Sequence, residues 1–185
     1  MFLIPILKSV ASLQIILRFF LNSANYIFEF EKQLSNNRRT DGYENSISYD
    51  YIPGVVDFVM LARESGFRLA VVTSSDIPKM NCVYAKHPKM RLLFDLILTS
   101  EDFAASKPNP DCFLKGTERL GSDKVHTVVF EDSINGLKAA QASGAHVVGL
   151  TTTNPLEIVR QYSEFQIPDF NNADTILSTI SALCD

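Results

Sequence analysis

The chain lacks any long run of charge of one sign. Its 17 Lys and Arg and 21 Asp and Glu are scattered along 185 residues. Arg38-Arg39 makes no basic patch, so no electrostatic footprint for nucleic acid is present. The chain also lacks a C-x-x-C pair. Its three cysteines, at 82, 112 and 184, fit free thiols in a reducing compartment better than a disulfide frame or a zinc site, and the cytoplasm is the expected location. His87, His126 and His146 are too scattered to suggest a ligand set. His126 and His146 open strand-like runs, where structural or surface roles fit better than chemistry. There is no internal repeat and no low-complexity tract.

Long apolar runs are scarce as well. Phe2 to Leu21 comes nearest to one and matches the ~20 residues that span a bilayer. Lys8, Gln14 and Arg18 interrupt it, and charges are costly at mid-bilayer. A secretory signal would want a basic start before its apolar run and small residues at a cleavage point, whereas here the apolar residues begin directly after Met1. An apolar helix is expected there, and a membrane partner is not.

What is present is enough apolar residue for one full core: 46% of the chain, at a length that suits a single main domain. From about Ile52 onward, helix-like and strand-like segments alternate, the pattern of an α/β fold. Pro53 opens a helix that runs to Ser65 with Val55, Phe58, Val59, Leu61 and Ala62 as its apolar positions, and Gly66 ends it. Phe67 to Thr73 is a strand apolar on both faces, as one covered by helices on both sides should be. A helix from Ile77 to Lys86 and a strand from Phe94 to Leu98 follow. Asn109-Pro110-Asp111 is a helix opening, with Asn as the cap and Pro in the first turn, and Gly121 closes that helix. Val125 to Phe130 is the next strand. Ser133 to Ser143 is a helix ended by Gly144, and His146 to Leu150 is a strand leading into Thr151-Thr152-Thr153-Asn154-Pro155. Helix, a short strand at Phe165 to Ile167, and a last helix after Asn172 complete the chain. Residues 1–50 differ, helical and apolar to about Leu34 and then polar.

Ligands of open parallel sheets bind beyond the carboxyl ends of the strands. Three strands end in suitable groups. Thr73 and Ser74 offer hydroxyls and backbone N–H groups before a helix start, which can hold phosphate oxygens with help from the helix dipole; ordinary turn chemistry is the plain alternative. Lys107, held extended by Pro108, can balance phosphate charge, against the plain alternative of a solvated lysine. Glu131-Asp132 closes the apolar run Val128-Val129-Phe130, and two such carboxylates suit Mg²⁺. The alternative is that Asp132 caps the next helix while Glu131 faces solvent. The intervals between these groups each accommodate a helix and a return to the sheet, so all three can meet at one edge.

From Ile52 to Phe170 the chain resembles the haloacid-dehalogenase-like hydrolases, especially their β-phosphoglucomutase and sugar-phosphate phosphatase branch. The resemblance rests on Ile52-Pro53-Gly54-Val55, Thr73, Ser106-Lys107-Pro108-Asn109-Pro110-Asp111 and Glu131-Asp132-Ser133 with Gly136. It implies a Rossmann-like three-layer sandwich with a parallel sheet and a helical cap. Thr73 and Lys107 would be catalytic, Thr73, Ser74 and Lys107 would bind phosphate, Glu131 and Asp132 would hold Mg²⁺, and the partner would be a small phosphorylated metabolite. The family's nucleophilic Asp, and the acid/base Asp two residues later, belong to an Asp-x-Asp motif at the end of a central strand. No such pair occurs among residues 1–50, whose aspartates are Asp41 and Asp50. Phe2 to Leu7 makes a poor substitute for the strand because Pro5 would break its ladder.

The expectation is therefore a truncated member: residues 1–50 the latter part of the cap, residues 51–185 the core, and the motif-one strand missing from the sheet. Two functions follow, an inactive-as-given phosphohydrolase and a non-catalytic remnant that binds phosphate or Mg²⁺ or serves as an interaction surface. A signalling receiver domain would need its acidic pair first and its lysine last, the reverse of the order here. Substrate identity, phosphatase against mutase, and oligomeric state are not encoded in these motifs.

Overall fold

Strands form where β-branched and aromatic residues cluster, and helices where an apolar stripe recurs. The computed structural model describes residues 15–18, 25–28 and 52–184. It begins with two short strands, β1 (Ile15–Arg18) and β2 (Asn25–Phe28). Helix α1, Val55–Glu64, buries Val55, Phe58, Val59 and Ala62, the i, i+3, i+4, i+7 stripe of a helix with one apolar face. Gly54 precedes it at φ 76, a left-handed conformation open to glycine. β3, Leu69–Val72, is buried along its whole length. Helix α2, Ile77–Lys86, starts at the Asp76 cap, whose side chain accepts from Lys79 N. β4 is Leu96–Leu98, and α3 is Asp111–Arg119. Pro110 rather than Asn109 holds the cap position of α3, and the Asn109 side chain accepts from Asp111 N at 3.0 Å.

β5, Thr127–Glu131, is again fully buried. α4, Ile134–Ser143, ends at Gly144, which turns the chain at φ 78 into β6, His146–Leu150. A short α5, Leu156–Val159, the strand β7, Phe165–Ile167, and α6, Ala173–Leu183, complete the fold.

β1 and β2 stand in the middle of the sheet. The order is β4-β3-β1-β2-β5-β6-β7, with β2 also meeting β3 and β1 also meeting β5. β2 runs parallel to both neighbours, Phe28 beside Val71 and Asn25 beside Thr127; β1 runs antiparallel to both. The place expected to be empty, between the strands that lead to Thr73 and Asp132, is thus filled. The helical reading of the first 34 residues gives way at these two segments, because Ile15-Ile16-Leu17 and Tyr26-Ile27-Phe28 are β-branched and aromatic runs that favour a pleated surface. The remaining residues of the expected cap, 1–14, 19–24 and 29–50, lie outside those described, as does the Phe2 to Leu7 segment.

Alternate side chains of β3, β5 and β6 feed separate cores. Leu69, Val71, Val128, Phe130, Val148 and Leu150 pack with α1, α2 and α6. Ala70, Val72, Val129 and Val147 pack with α3, α4 and Val159 of α5. Helices thus cover both faces of β3, β5 and β6, as their apolar centres require. Phe58, Phe130 and Phe170 meet at the centre of the first core with ring centroids 5.0 to 5.6 Å apart, which ties α1 to β5 and to the segment before α6.

Candidate active site

Strand register brings the polar strand ends level. Ala70 of β3 and Val129 of β5 both lie beside Ile16. Thr73 and Asp132, each three residues further on, therefore leave the sheet at the same height on its carboxyl edge, the edge where such sheets bind ligands.

Lys107 reaches this edge from the loop before α3. That loop is tied down by Asp111, whose carboxylate accepts from Ala104 N at 2.6 Å, and by Lys115, which donates to the Asp102 carbonyl at 3.0 Å. Lys107 Nζ lies 3.6 Å from Glu131 Oε2, with the two side chains 2% and 0% exposed. The ammonium also stands over the Phe113 ring, 5.1 Å from its centroid, an arrangement favoured by the ring quadrupole. Lys107 is not a solvated surface lysine.

Glu131 is held on its other side by the start of α4. Its Oε1 accepts from Asp132 N at 3.1 Å and from Ser133 N at 2.7 Å. Its Oε2 has no hydrogen bond among the described residues. Burial pushes the Glu131 carboxyl up to about 7, with Lys107 the chief opposing influence. Burial likewise brings Lys107 down to about 8, opposed first by Glu131. Each charge is costly in this enclosed place, and each supports the other.

Asp132 is fully buried. Its Oδ2 accepts from Thr152 Oγ1 at 2.9 Å and from Thr153 Oγ1, and Asn154 Nδ2 donates to its backbone carbonyl at 2.7 Å. The cap of α4 is Ser133, whose Oγ accepts from Gly136 N at 3.0 Å. Asp132 is thus not the helix cap, and Glu131 does not face solvent.

Thr73 is buried, donates through its backbone N to Leu98 O at 2.8 Å, and accepts at Oγ1 from Ser75 N at 3.1 Å. Ser74 is exposed. Ser75 Oγ is buried with no hydrogen bond among the described residues. The dipole assistance expected from α2 is already engaged: Asp76 accepts from Lys79 N at 2.9 Å and Glu101 from Ile77 N at 3.0 Å. Two carboxylates at the helix start leave the hydroxyls, rather than the helix end, as the groups suited to phosphate.

The donor set fits Mg²⁺. Glu131 and Asp132 are adjacent, buried oxygen donors, one with an oxygen outside any hydrogen bond among the described residues, and Mg²⁺ is commonly held by one or two carboxylates plus water and phosphate. No cluster of three His, Cys, Asp or Glu side chains suited to a metal forms among the described residues.

Two groups escaped the motif reading. The hydroxyls of Thr152 and Thr153 meet Asp132, and their signal was the polar run that follows β6, the same strand-end position that singled out Thr73. The second group is Glu29-Phe30-Glu31, which follows β2 directly in the sequence. Its two acids have the spacing of Asp-x-Asp, and it follows a central parallel strand. Residues 29–31 lie outside those described. No helix among the described residues is long and apolar enough to cross a membrane.

Residues 14–150 match the haloacid dehalogenase-like hydrolase family. Protein CbbY of Rhodobacter capsulatus is 31% identical over 130 residues, 67% of this chain and 56% of that protein. Hexitol phosphatase B of Escherichia coli strain K12 is 32% identical over 92 residues, 50% of this chain and 41% of that one. Among solved structures, a mutant CbbY from Rhodobacter sphaeroides, in complex with xylulose-(1,5)bisphosphate, aligns with a TM-score of 0.54 and 28% identity over 64% of this chain and 54% of its own. The chain spans about half the length of the curated relatives it matches. Motifs, sheet order and these likenesses agree, and the chain belongs to the haloacid dehalogenase-like hydrolase family.

Proposed function

We propose that this chain carries a Mg²⁺-dependent phosphomonoester site for a small phosphorylated metabolite of the sugar-phosphate class, working in the cytoplasm. The observation that carries this reading is the buried Lys107–Glu131 pair beside Asp132, level with Thr73 across the sheet. Lys107 neutralises and orients the phosphoryl group, and the Thr73 and Ser74 hydroxyls hold its oxygens. Glu131 and Asp132 hold Mg²⁺, which when bound would draw charge from the phosphoryl oxygens. The xylulose bisphosphate in the CbbY complex and the name of hexitol phosphatase B support the substrate class.

Glu29 and Glu31 take the places of the nucleophile and the acid/base in this reading. The Glu29 carboxylate would attack phosphorus as the ester oxygen leaves, Glu31 would protonate that oxygen, and water would then cleave the acyl phosphate. Glutamate carries its carboxylate about one C–C bond, ~1.5 Å, further from the backbone than aspartate. A misplacement of ~1 Å can cost on the order of 10²-fold in rate, so the unaltered chain turns over slowly.

The test is hydrolysis of p-nitrophenyl phosphate in Mg²⁺. Glu29→Asp with Glu31→Asp should raise the rate by about 10²-fold, and adding Lys107→Ala should abolish it. A well-folded double aspartate variant no faster than its parent would sink the catalytic reading. The lack of Asp-x-Asp favours a second reading, binding of phosphate and Mg²⁺ without turnover. Slow hydrolysis by the unaltered chain that disappears in Lys107→Ala would refute it.

A further inference from the structure

We infer that the charged row Asp111, Lys115 and Arg119 of α3 positions Lys107, with Asp111 as the residue that closes the Lys107 loop. The consequence for ligand binding rests on the proposed phosphate role of Lys107; the placement of the side chain does not.

Residues four apart share one helix face, so these three side chains, from the first to the last residue of α3, form a row along it. Each holds the segment that leads into Lys107. The Asp111 carboxylate accepts from Ala104 N at 2.6 Å. Lys115 Nζ donates to the Asp102 carbonyl at 3.0 Å and lies 3.6 Å from Asp111 Oδ2. Arg119 donates to Asp102 Oδ1 at 3.0 Å, while Oδ2 of that carboxylate accepts from Thr99 N at 2.9 Å. Successive turns of one helix are thus fastened to residues 102–104.

The bond between Asp111 and Ala104 closes a loop, and Lys107 stands inside it. Within that loop Asn109 N donates to Ser106 O at 3.1 Å and Asp111 N to Asn109 Oδ1 at 3.0 Å. The same helix supplies Phe113, the buried ring 5.1 Å from Lys107 Nζ. A lysine side chain is a flexible four-carbon stem, so its ammonium is only as well placed as the backbone that carries it and the walls around it. The first turn of α3 provides both.

The row matters more for position than for stability. The side chains of Asp111, Lys115 and Arg119 are 27%, 35% and 49% exposed, and ion pairs so exposed stabilise a fold little. A charge-assisted hydrogen bond to phosphate that is lost by displacement costs roughly tenfold or more in affinity.

Two measurements on the full chain test the inference. Acetylation of Lys107 by an amine-reactive ester, followed by mass spectrometry, reads its enclosure, and calorimetry with inorganic phosphate in Mg²⁺ reads its ligand role. Asp111→Ala should raise Lys107 acetylation several-fold and weaken phosphate binding by about tenfold. Asp111→Asn keeps an oxygen that can accept from Ala104 N, and it should recover most of both. If Asp111→Ala does not fold, Lys115→Met should shift both measurements in the same direction. Acetylation of Lys107 that is unchanged in Asp111→Ala, or raised equally in Asp111→Ala and Asp111→Asn, overturns the inference. Lys107→Ala is the control for the underlying reading. Phosphate affinity lost in Lys107→Ala but unchanged in Asp111→Ala overturns the positioning role alone; affinity unchanged in Lys107→Ala overturns the phosphate role of Lys107, and acetylation then decides the placement by itself.

Discussion

The carboxylate of Glu131 occupies the space that a side chain on Gly136 would need. A Cβ built on Gly136 would stand 2.1 Å from Glu131 Cδ and 2.2 Å from Oε2. The first turn of α4 therefore closes over the acid that ends β5, and a glycine five residues after that acid makes the approach possible. Lys107 on the other side completes the enclosure.

Gly136→Ala tests that packing, because two effects compete. Alanine in a helix interior gains up to about 1 kcal/mol over glycine. The clash is not relieved cheaply, since the Glu131 carboxylate is buried and held by two backbone N–H groups and Lys107, and overpacking costs about 1–3 kcal/mol. A net loss of about 1–2 kcal/mol in urea unfolding is expected, with weakened Mg²⁺ binding. A more stable Gly136→Ala protein would mean the carboxylate moves aside freely.

Stability in metal-free buffer should be lowest near pH 7 to 8 as far as the Lys107–Glu131 pair governs it. Glu131 is raised from 4.5 to about 7, so its contribution is full below about pH 4.5 and is lost as pH rises through about 7. Lys107 is lowered from 10.5 to about 8, so its contribution is full above about pH 10.5 and is lost as pH falls through about 8. The unfolding free energy from urea titration should fall between pH 5 and 7.5 by an amount on the order of 1–3 kcal/mol. Glu131→Gln cannot ionise and should flatten that fall. Equal slopes in parent and variant would show that ionisation of Glu131 is not its source.

Much of this arrangement was legible in the sequence alone, for reasons that differ along the chain. α1 was readable because Val55, Phe58, Val59 and Ala62 keep one helical face and Pro53 and Gly66 bracket it. β3, β5 and β6 were readable as short apolar runs between turn residues, and the polar groups that follow β3 and β5 stood out against them. β1 and β2 were hidden because apolar residues are dense but irregularly interrupted through the first 34 residues, so neither the helical nor the strand period stands out. Glu29-Phe30-Glu31 was hidden with them, since an acidic pair acquires meaning only once a central parallel strand precedes it.

The roles of Thr152 and Thr153 were illegible for another reason. Threonines after a strand are ordinary turn chemistry, and nothing local says that their hydroxyls cross to a neighbouring strand's acid 20 and 21 residues away. Asp76 and Glu101 show the converse. The start of α2 promised an anion site, and a cap from its own chain segment and a carboxylate from 24 residues further on already fill it.

Gly54→Ala should destabilise the chain by about 2–5 kcal/mol, because two costs add. At φ 76 an L residue is strained, by about 1–2 kcal/mol. The new Cβ would also stand 2.3 Å from the Phe170 carbonyl carbon, and here the obstacle is backbone, fixed by the Phe170 N to Pro53 O bond of 2.8 Å. Overpacking adds about 1–3 kcal/mol. Thermal or urea unfolding measures the sum, and a loss under about 1 kcal/mol would show that this contact relaxes.

Thr73 gives the last prediction, because its hydroxyl has a structural duty and a proposed ligand duty that can be separated. Its Oγ1 accepts from Ser75 N at 3.1 Å in a place closed to solvent. Thr73→Val keeps the shape and removes that acceptor, leaving a buried N–H to be satisfied elsewhere at a cost of about 1–3 kcal/mol. Thr73→Ser keeps the oxygen and loses a methyl, and it should recover most of that stability. The hydroxyl proton is not used by the Ser75 bond, in which Oγ1 accepts, so it can serve a phosphate oxygen. Inorganic phosphate should therefore bind the serine variant about as well as the parent and the valine variant about tenfold more weakly, the worth of one ordinary hydrogen bond. Equal phosphate affinity in the valine variant and the parent, with the stability loss still present, would confine Thr73 to holding its own loop.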